Sequence, residues 1–292
     1  MAEAPQSNST FSRPTFFILT GIPELGVAQA WLTLVFGPMY LLSLLGNGAL
    51  LAVVEIDSTL HKPMFLLLAT LAATDLGLAT SIAPGLLAVL WLGPQPVPYV
   101  ACLVQMFFVH ALMAMESGAL LAMACDRAVA VGRPLHYPVL VTKAHVGYAA
   151  LALALKAVAV VVSFPLLVAR FGNLYGLALS LAMSGVDILG IMGSYGLIAH
   201  AVLRLPTQEA RAKAFGTWSS HICVILAFHV PGLFSYLTRL FGRHTIPKPM
   251  HILLSNNYLL LPSALNPLIY GARTEQISDQ LLETFAFRKS QF

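Results

Sequence analysis

With 292 residues, 58% of them hydrophobic and only 10% charged, and a mean hydropathy of +0.80, the chain falls far short of the roughly 25% charged residues of a soluble domain, which excludes a water-soluble globular fold. Its net charge of +4 comes without a basic stripe interleaved with aromatics, so no nucleic-acid surface is expected. Three scattered cysteines, Cys102, Cys125 and Cys223, provide neither a disulfide framework nor a thiolate metal cluster.

Residues 1–26 are expected as an extracellular N-terminal segment; Met1 to Leu25 are polar and proline-bearing, without the apolar core of a signal peptide, so the first span is expected to act as its own signal anchor. Within this segment Asn8-Ser-Thr10 forms a glycosylation sequon. Apolar stretches long enough to cross a bilayer follow near Val27–Val54, Pro63–Trp91, Pro98–Val131, Thr142–Ala169, Leu174–Leu203, Ala214–Leu240 and Met250–Tyr270. Their length and lack of alternation predict helices rather than barrel strands. The expected fold is an all-α membrane protein, a seven-transmembrane helix bundle over 27–270, followed by a cytoplasmic tail over 271–292. In that tail Thr274–Phe287 places Ile277, Leu281, Leu282 and Phe285 on one face, the pattern of a short amphipathic helix on the inner leaflet.

Lys and Arg in the short loops set the orientation. With the amino terminus outside, ten basic residues face inward and five outward, and Lys156 lies mid-span. The third span ends abruptly in Asp126-Arg127, where hydrocarbon meets water, so both charges can stay hydrated or paired. Such a pair can lock the inner mouth of a bundle, and its release would offer a partner protein an arginine.

Charges within the bilayer cost at least ~2.5 kcal/mol each on insertion scales, so Asp75, Glu116, Lys156 and Asp187 each call for a reason. Asp187 and Lys156 divide evenly between a structural pair and a functional role. Asp75 and Glu116 can share a depth with Asn47 and Asn266, giving two carboxylates and two amides suited to Na⁺ or to one shared proton. Pro231 and Pro267 interrupt spans 6 and 7 as candidate hinges. His110, near the outer end of span 3, can donate to a ligand oxygen. No phosphate loop, zinc-binding H-E-x-x-H or Ser/His/Asp set is present, so no enzyme is expected.

An ordered set of motifs runs through nearly the whole chain: Gly46-Asn47, Leu60-His-Lys-Pro-Met-Phe65, Leu71-Ala-Ala-Thr-Asp75, Met123-Ala-Cys-Asp-Arg127, Ser194-Tyr195, Lys213-Ala-Phe-Gly-Thr-Trp-Ser-Ser-His221 and Pro262-Ser-Ala-Leu-Asn-Pro-Leu-Ile-Tyr270. In these the sequence resembles an odorant receptor of the rhodopsin-like G-protein-coupled class. Asp187 and Pro247-Lys-Pro-Met-His-Ile-Leu-Leu-Ser-Asn256 resemble its fish-like class I branch.

The resemblance implies a small volatile odorant, often a polar or carboxylic compound, held near His110, Met113, Ala114, Met183, His229, Leu233 and Tyr236. It also implies that Arg127 meets a stimulatory olfactory G protein, with Asp126 as its resting partner and Tyr195 and Tyr270 moving toward it on activation. Asp75 and Glu116 would hold Na⁺. The expected surroundings are the plasma membrane and its lipid.

Departures from the family pattern bear on function. Cys125 and Ala128 replace the tyrosines that usually flank Asp-Arg, and Gly132 and Trp218 replace family cysteines. Leu240 stands where acid-sensing relatives carry arginine, with Arg239 beside it. Ala169-Arg-Phe-Gly-Asn173 joins spans 4 and 5 directly, so Cys102 lacks its usual disulfide partner and the long second outer loop is missing. A disulfide alone stabilises by ~2–4 kcal/mol, so a leaky outer pocket, lower stability and poor surface delivery are expected. The alternatives are a non-signalling receptor-like protein retained in the cell and, further off, a transporter, against which the absence of an internal repeat speaks.

Overall fold

A computed structural model describes residues 15–171, 173–204, 207–241, 246–273 and 277–279. Among them seven long helices follow one another: α1 (Thr33–Ile56), α2 (Pro63–Leu92), α3 (Tyr99–Gly132), α4 (Lys143–Phe171), α5 (Asn173–Leu203), α6 (Gln208–Phe241) and α7 (Lys248–Arg273). The shortest has 24 residues, about 36 Å at 1.5 Å per residue, more than a bilayer's hydrocarbon core of roughly 30 Å. Among the described residues, Pro23–Ile56, Pro63–Leu92, Tyr99–Gly132 and Ser184–Leu203 are long and apolar enough to cross a membrane by composition alone.

Local chemistry sets the helix boundaries. Pro63 takes the first position of α2 behind an extended Lys62, where its missing N–H costs nothing. Gly93, at φ 84°, ends that helix in a conformation that favours glycine. Asp57 caps the inner turn after α1, its carboxylate accepting from the Thr59 N–H and hydroxyl, both at 2.8 Å. The Thr59 backbone bond holds the Asp57 carboxyl below its ordinary range.

Prolines inside the spans do not end them. Pro231 and Pro267, expected as hinges, lie within continuous helix, as do Pro38, Pro84 and Pro262. Each still removes one backbone hydrogen bond. α6 begins at Gln208, six residues before its apolar run, because Glu209 and Arg211 carry the helix into water. One feature stands outside the all-helical expectation. Strand β1 (Phe16–Leu19) pairs antiparallel with β2 (Gln95–Pro98), in register Phe16 to Pro98, and lays the N-terminal segment over the outer loop between α2 and α3.

Hydrophobic burial does not drive helix association within lipid, so packing depends on close approach and on polar ties. An inner core joins α1, α2, α3 and α7 through Leu50, Val54, Phe65, Leu120, Met123 and Tyr270. A second, outer cluster contains Phe36, Leu78, Ile82 and Leu260. Gly46 lets α1 meet α7, since a Cβ there would lie 2.6 Å from the Pro267 ring. α5 packs on α3 but meets α6 only lightly. Of the amphipathic tail only 277–279 are described; they are helical, and Ile277 is buried in the inner core.

Candidate functional site

The inner end of α3 carries the Asp-Arg pair that the sequence singles out. Arg127 Nε lies 3.6 Å from Asp126 Oδ2, an ion pair too long for a hydrogen bond. The shorter contact on this carboxylate comes from Tyr137, whose hydroxyl donates to Asp126 Oδ1 at 2.7 Å. Tyr137 lies in a single helical turn, Tyr137–Leu140, after the third span. Burial, then the Asp126 carboxylate, pushes its hydroxyl above the ordinary tyrosine range, so it remains a donor. The sequence gives this tyrosine no signal of its own, since a hydroxyl in a loop has no periodicity.

Two further tyrosines flank the arginine. The Tyr195 hydroxyl on α5 is buried without a hydrogen-bond partner. The Tyr270 hydroxyl on α7 instead bonds with His221 Nδ1 at 3.2 Å, the rings edge to face with centroids 5.4 Å apart. Beside them the Cys125 thiol lies 3.5 Å from the Ser194 hydroxyl. The pair at the α3 terminus is therefore assembled with Tyr137, while Tyr270 is engaged elsewhere.

Half-way up the bundle α2, α3 and α7 enclose a polar cluster. Asn266 Nδ2 donates to Asp75 Oδ2 at 2.8 Å. Asp75 Oδ1, both Glu116 carboxylate oxygens, Ser263 Oγ and Asn266 Oδ1 are buried without a bond of good geometry, while Glu116 and Ser263 lie close enough to Asp75 for a proton to be shared with it. Asn47 lies beside this cluster and braces α1 to α7 by donating to the Ser263 carbonyl at 2.8 Å and the Ser43 carbonyl at 3.0 Å. Ser263 was missed in the sequence, where nothing separates it from other small residues of the span.

Unpaired buried oxygens are costly, and this set consists of hard oxygens from two acids, an amide and a hydroxyl. Such donors suit a small hard cation. Among the described residues no group of three or more His, Cys, Asp or Glu gathers as a metal site, so neutral oxygens would have to complete the shell.

Lys156 and Asp187 resolve as a structural pair. Lys156 Nζ lies 2.8 and 3.0 Å from the two Asp187 oxygens, and the Ser117 hydroxyl donates to Oδ2 at 2.8 Å. One tie thus links α3, α4 and α5.

The expected ligand-lining residues spread over several faces. His110 Nδ1 donates to the Met106 carbonyl at 2.8 Å. Met113 packs into the outer cluster, whereas Ala114 packs with Ala111, Ala157 and Val161. His229 is buried on α6, its Nδ1 donating to the Ile225 carbonyl at 3.1 Å and its Nε2 unpartnered. Leu233 is 39% exposed. The side chains of Met183 and Tyr236, and all of Asn8, lie outside the described residues. Cys102, Cys125 and Cys223 are all unpaired.

A seven-helix membrane bundle with an acid–arginine pair at one mouth and buried acids at its middle has the architecture of a transmembrane receptor, not of an enzyme. The olfactory receptor family model matches residues 36–174 and 170–288. Human Olfactory receptor 52W1 is 76% identical over 99% of each chain. Human Olfactory receptors 52R1 and 52D1 are 42% and 40% identical, each over 95% of this chain and 96% of the relative. The chain belongs to the olfactory receptor family, within its class I branch, and is a multi-pass membrane protein.

The family match divides at 170–174, where α4 passes into α5. The 318-residue alignment with Olfactory receptor 52W1 is also longer than the 292-residue chain, so this chain lacks a segment that the relative carries.

Proposed function

We propose that this odorant receptor binds a small volatile compound within the outer half of the bundle and activates a stimulatory heterotrimeric G protein, raising cAMP. Arg127 is the contact for the G protein, and Asp126 holds it at rest. The observation that carries this reading is the Asp126 carboxylate, held by Tyr137 at 2.7 Å while Arg127 stands 3.6 Å away. The arginine is therefore tethered by charge alone and can be withdrawn without breaking a hydrogen bond. Tyr195, with its unpartnered hydroxyl, supplies an acceptor on α5 for the released guanidinium. Tyr270 would first have to leave His221.

The amino terminus lies outside the plasma membrane, with Asn8 a glycan acceptor. His110 and His229 are the polar contacts for an odorant oxygen, suiting a short polar or carboxylic ligand, and Met113, Ala114, Met183, Leu233 and Tyr236 shape the pocket. Asp75 and Glu116 hold Na⁺ in the resting state, with the Asn266 and Ser263 oxygens completing its shell.

A cAMP reporter read against an odorant panel, with surface staining in parallel, tests this. An odorant-dependent rise that Arg127→Ala abolishes at unchanged surface level supports it. Chain held inside the cell, or surface-delivered chain silent across the panel, would favour the non-signalling alternative. Solute flux without cAMP would favour transport.

A further inference from the structure

A cavity of about 510 Å³ opens at the inner end of the bundle, between the starts of α2 and α4 and the end of α3. Lys62, Arg127 and Lys143 reach it from three different elements, Tyr137 and Thr142 join the lining with their hydroxyls engaged by Asp126 and His145, and Phe65 lies on its apolar wall. Among the described residues no acidic side chain is part of its lining. The Asp126 carboxylate beside Arg127 has one oxygen taken by the Tyr137 hydroxyl and the other facing that arginine. Arg127 Nε is buried without a hydrogen-bond partner.

The backbone adds to this charge. Both α2, from Pro63, and α4, from Lys143, begin at the cavity with their N-terminal ends, where the helix dipole favours anions. Lys62, the residue before α2, makes no side-chain cap. At α4 the Thr142 hydroxyl takes that role, accepting from the His145 N–H at 3.3 Å. Three cations, two helix starts and an apolar wall therefore share one opening at the level where the bundle leaves the hydrocarbon.

We propose that this cavity binds phosphate-bearing anions, with an inner-leaflet phospholipid headgroup as the occupant its place at the membrane surface favours. Lys62 and Lys143 are compact point charges suited to a phosphate from two sides, and Arg127 closes the third. An occupied cavity would compete with Asp126 for Arg127 and bias the inner mouth. The site requires only that this end of the bundle lies at a membrane surface, not that the chain signals.

The full chain in nanodiscs tests it, with bound ligand measured by native mass spectrometry. One set is made of phosphatidylcholine alone, a second is doped with phosphatidylinositol bisphosphate, and a third is phosphatidylcholine with soluble inositol trisphosphate added. Saturable lipid binding is expected. Lys62→Gln or Lys143→Gln should each weaken it about fivefold, and the pair roughly 25-fold, from the usual worth of one basic residue near an anionic surface. Arg204→Gln, on the same side but away from the cavity, should leave it unchanged.

Both lysines are exposed, and equal melting temperatures in phosphatidylcholine would verify that the variants fold. Inositol trisphosphate binding with the same sensitivity, and no lipid binding, would keep the site and make its occupant a soluble phosphate. Absence of binding in both arms, or a double variant that binds like the wild type, would overturn the proposal.

Discussion

The bundle carries two polar clusters at membrane depth, and they are built in opposite ways. Lys156, Asp187 and Ser117 close on one another at 2.8 to 3.0 Å. Asp75, Glu116, Asn266 and Ser263 share one hydrogen bond of good geometry and leave five buried oxygens without one, Glu116 and Ser263 standing only in looser contact with Asp75. A closed cluster ties helices together and has nothing left to bind. An open one carries a standing desolvation cost that an occupant can remove. The difference gives the first a structural task and leaves the second with room for the occupant proposed above.

The largest effect expected falls on the closed cluster. Asp187→Ala leaves the part-buried Lys156 uncompensated, which costs roughly 3 kcal/mol, the lower end for a buried pair broken on one side. Surface staining should fall close to background. Replacing both Lys156 and Asp187 with leucine removes the two charges together and should restore much of the signal. If Asp187→Ala alone reached the surface at wild-type level, the tie between α3, α4 and α5 would not be structural.

Next comes the packing that closes the open cluster. Gly46→Ala forces a methyl against the Pro267 ring, 2.6 and 2.7 Å from two of its carbons. That ring is rigid, so α1 and α7 must separate, at roughly 1–3 kcal/mol. Gly118→Ala meets the far end of the Leu153 side chain instead, which can turn away, so its melting temperature should fall less. The reverse order in a thermal melt would show that α1 and α7 do not set the geometry around Asn47 and Asn266.

Third is the occupant itself. Na⁺ at ten times its dissociation constant would stabilise the resting bundle by about 1.4 kcal/mol. Replacing NaCl with choline chloride at constant ionic strength should then lower the wild-type melting temperature. Asp75→Asn and Glu116→Gln should each abolish that dependence while removing part of the desolvation cost. An unchanged response to Na⁺ in either variant would rule out the cluster as the cation's site.

Much of this was legible in the sequence, and what was not has a physical reason. Long apolar runs fix the helices because lipid leaves the backbone no other way to satisfy its hydrogen bonds. Intramembrane charges stand out because few are tolerated, so Asp75, Glu116, Lys156 and Asp187 could be named in advance. Which charge meets which depends on how the helices rotate about their axes, and the sequence left Lys156 and Asp187 undecided. The roles of Tyr137 and Ser263 escaped notice because a hydroxyl in a loop or span carries no periodic signal. The ribbon of β1 and β2 escaped for a similar reason, since four-residue strands among prolines have too few alternations to register.

The smallest effect expected is at the inner mouth, where the comparison takes its sharpest form. Tyr137→Phe removes the donor at 2.7 Å from Asp126 and leaves the ring to pack. One hydrogen bond is worth about 1 kcal/mol net, so stability should change little. The freed carboxylate can then turn fully toward Arg127 and shorten the 3.6 Å ion pair. In that case the resting state gains hold on the arginine, and basal cAMP should fall, by up to about fivefold if the whole hydrogen-bond energy is transferred. The opposite result, a rise in basal signalling, would mean that Tyr137 positions Asp126 rather than competing for it. An Asp126→Asn background distinguishes the two. It removes the charge both partners share, so adding Tyr137→Phe there should produce no further change if competition for that carboxylate is the mechanism.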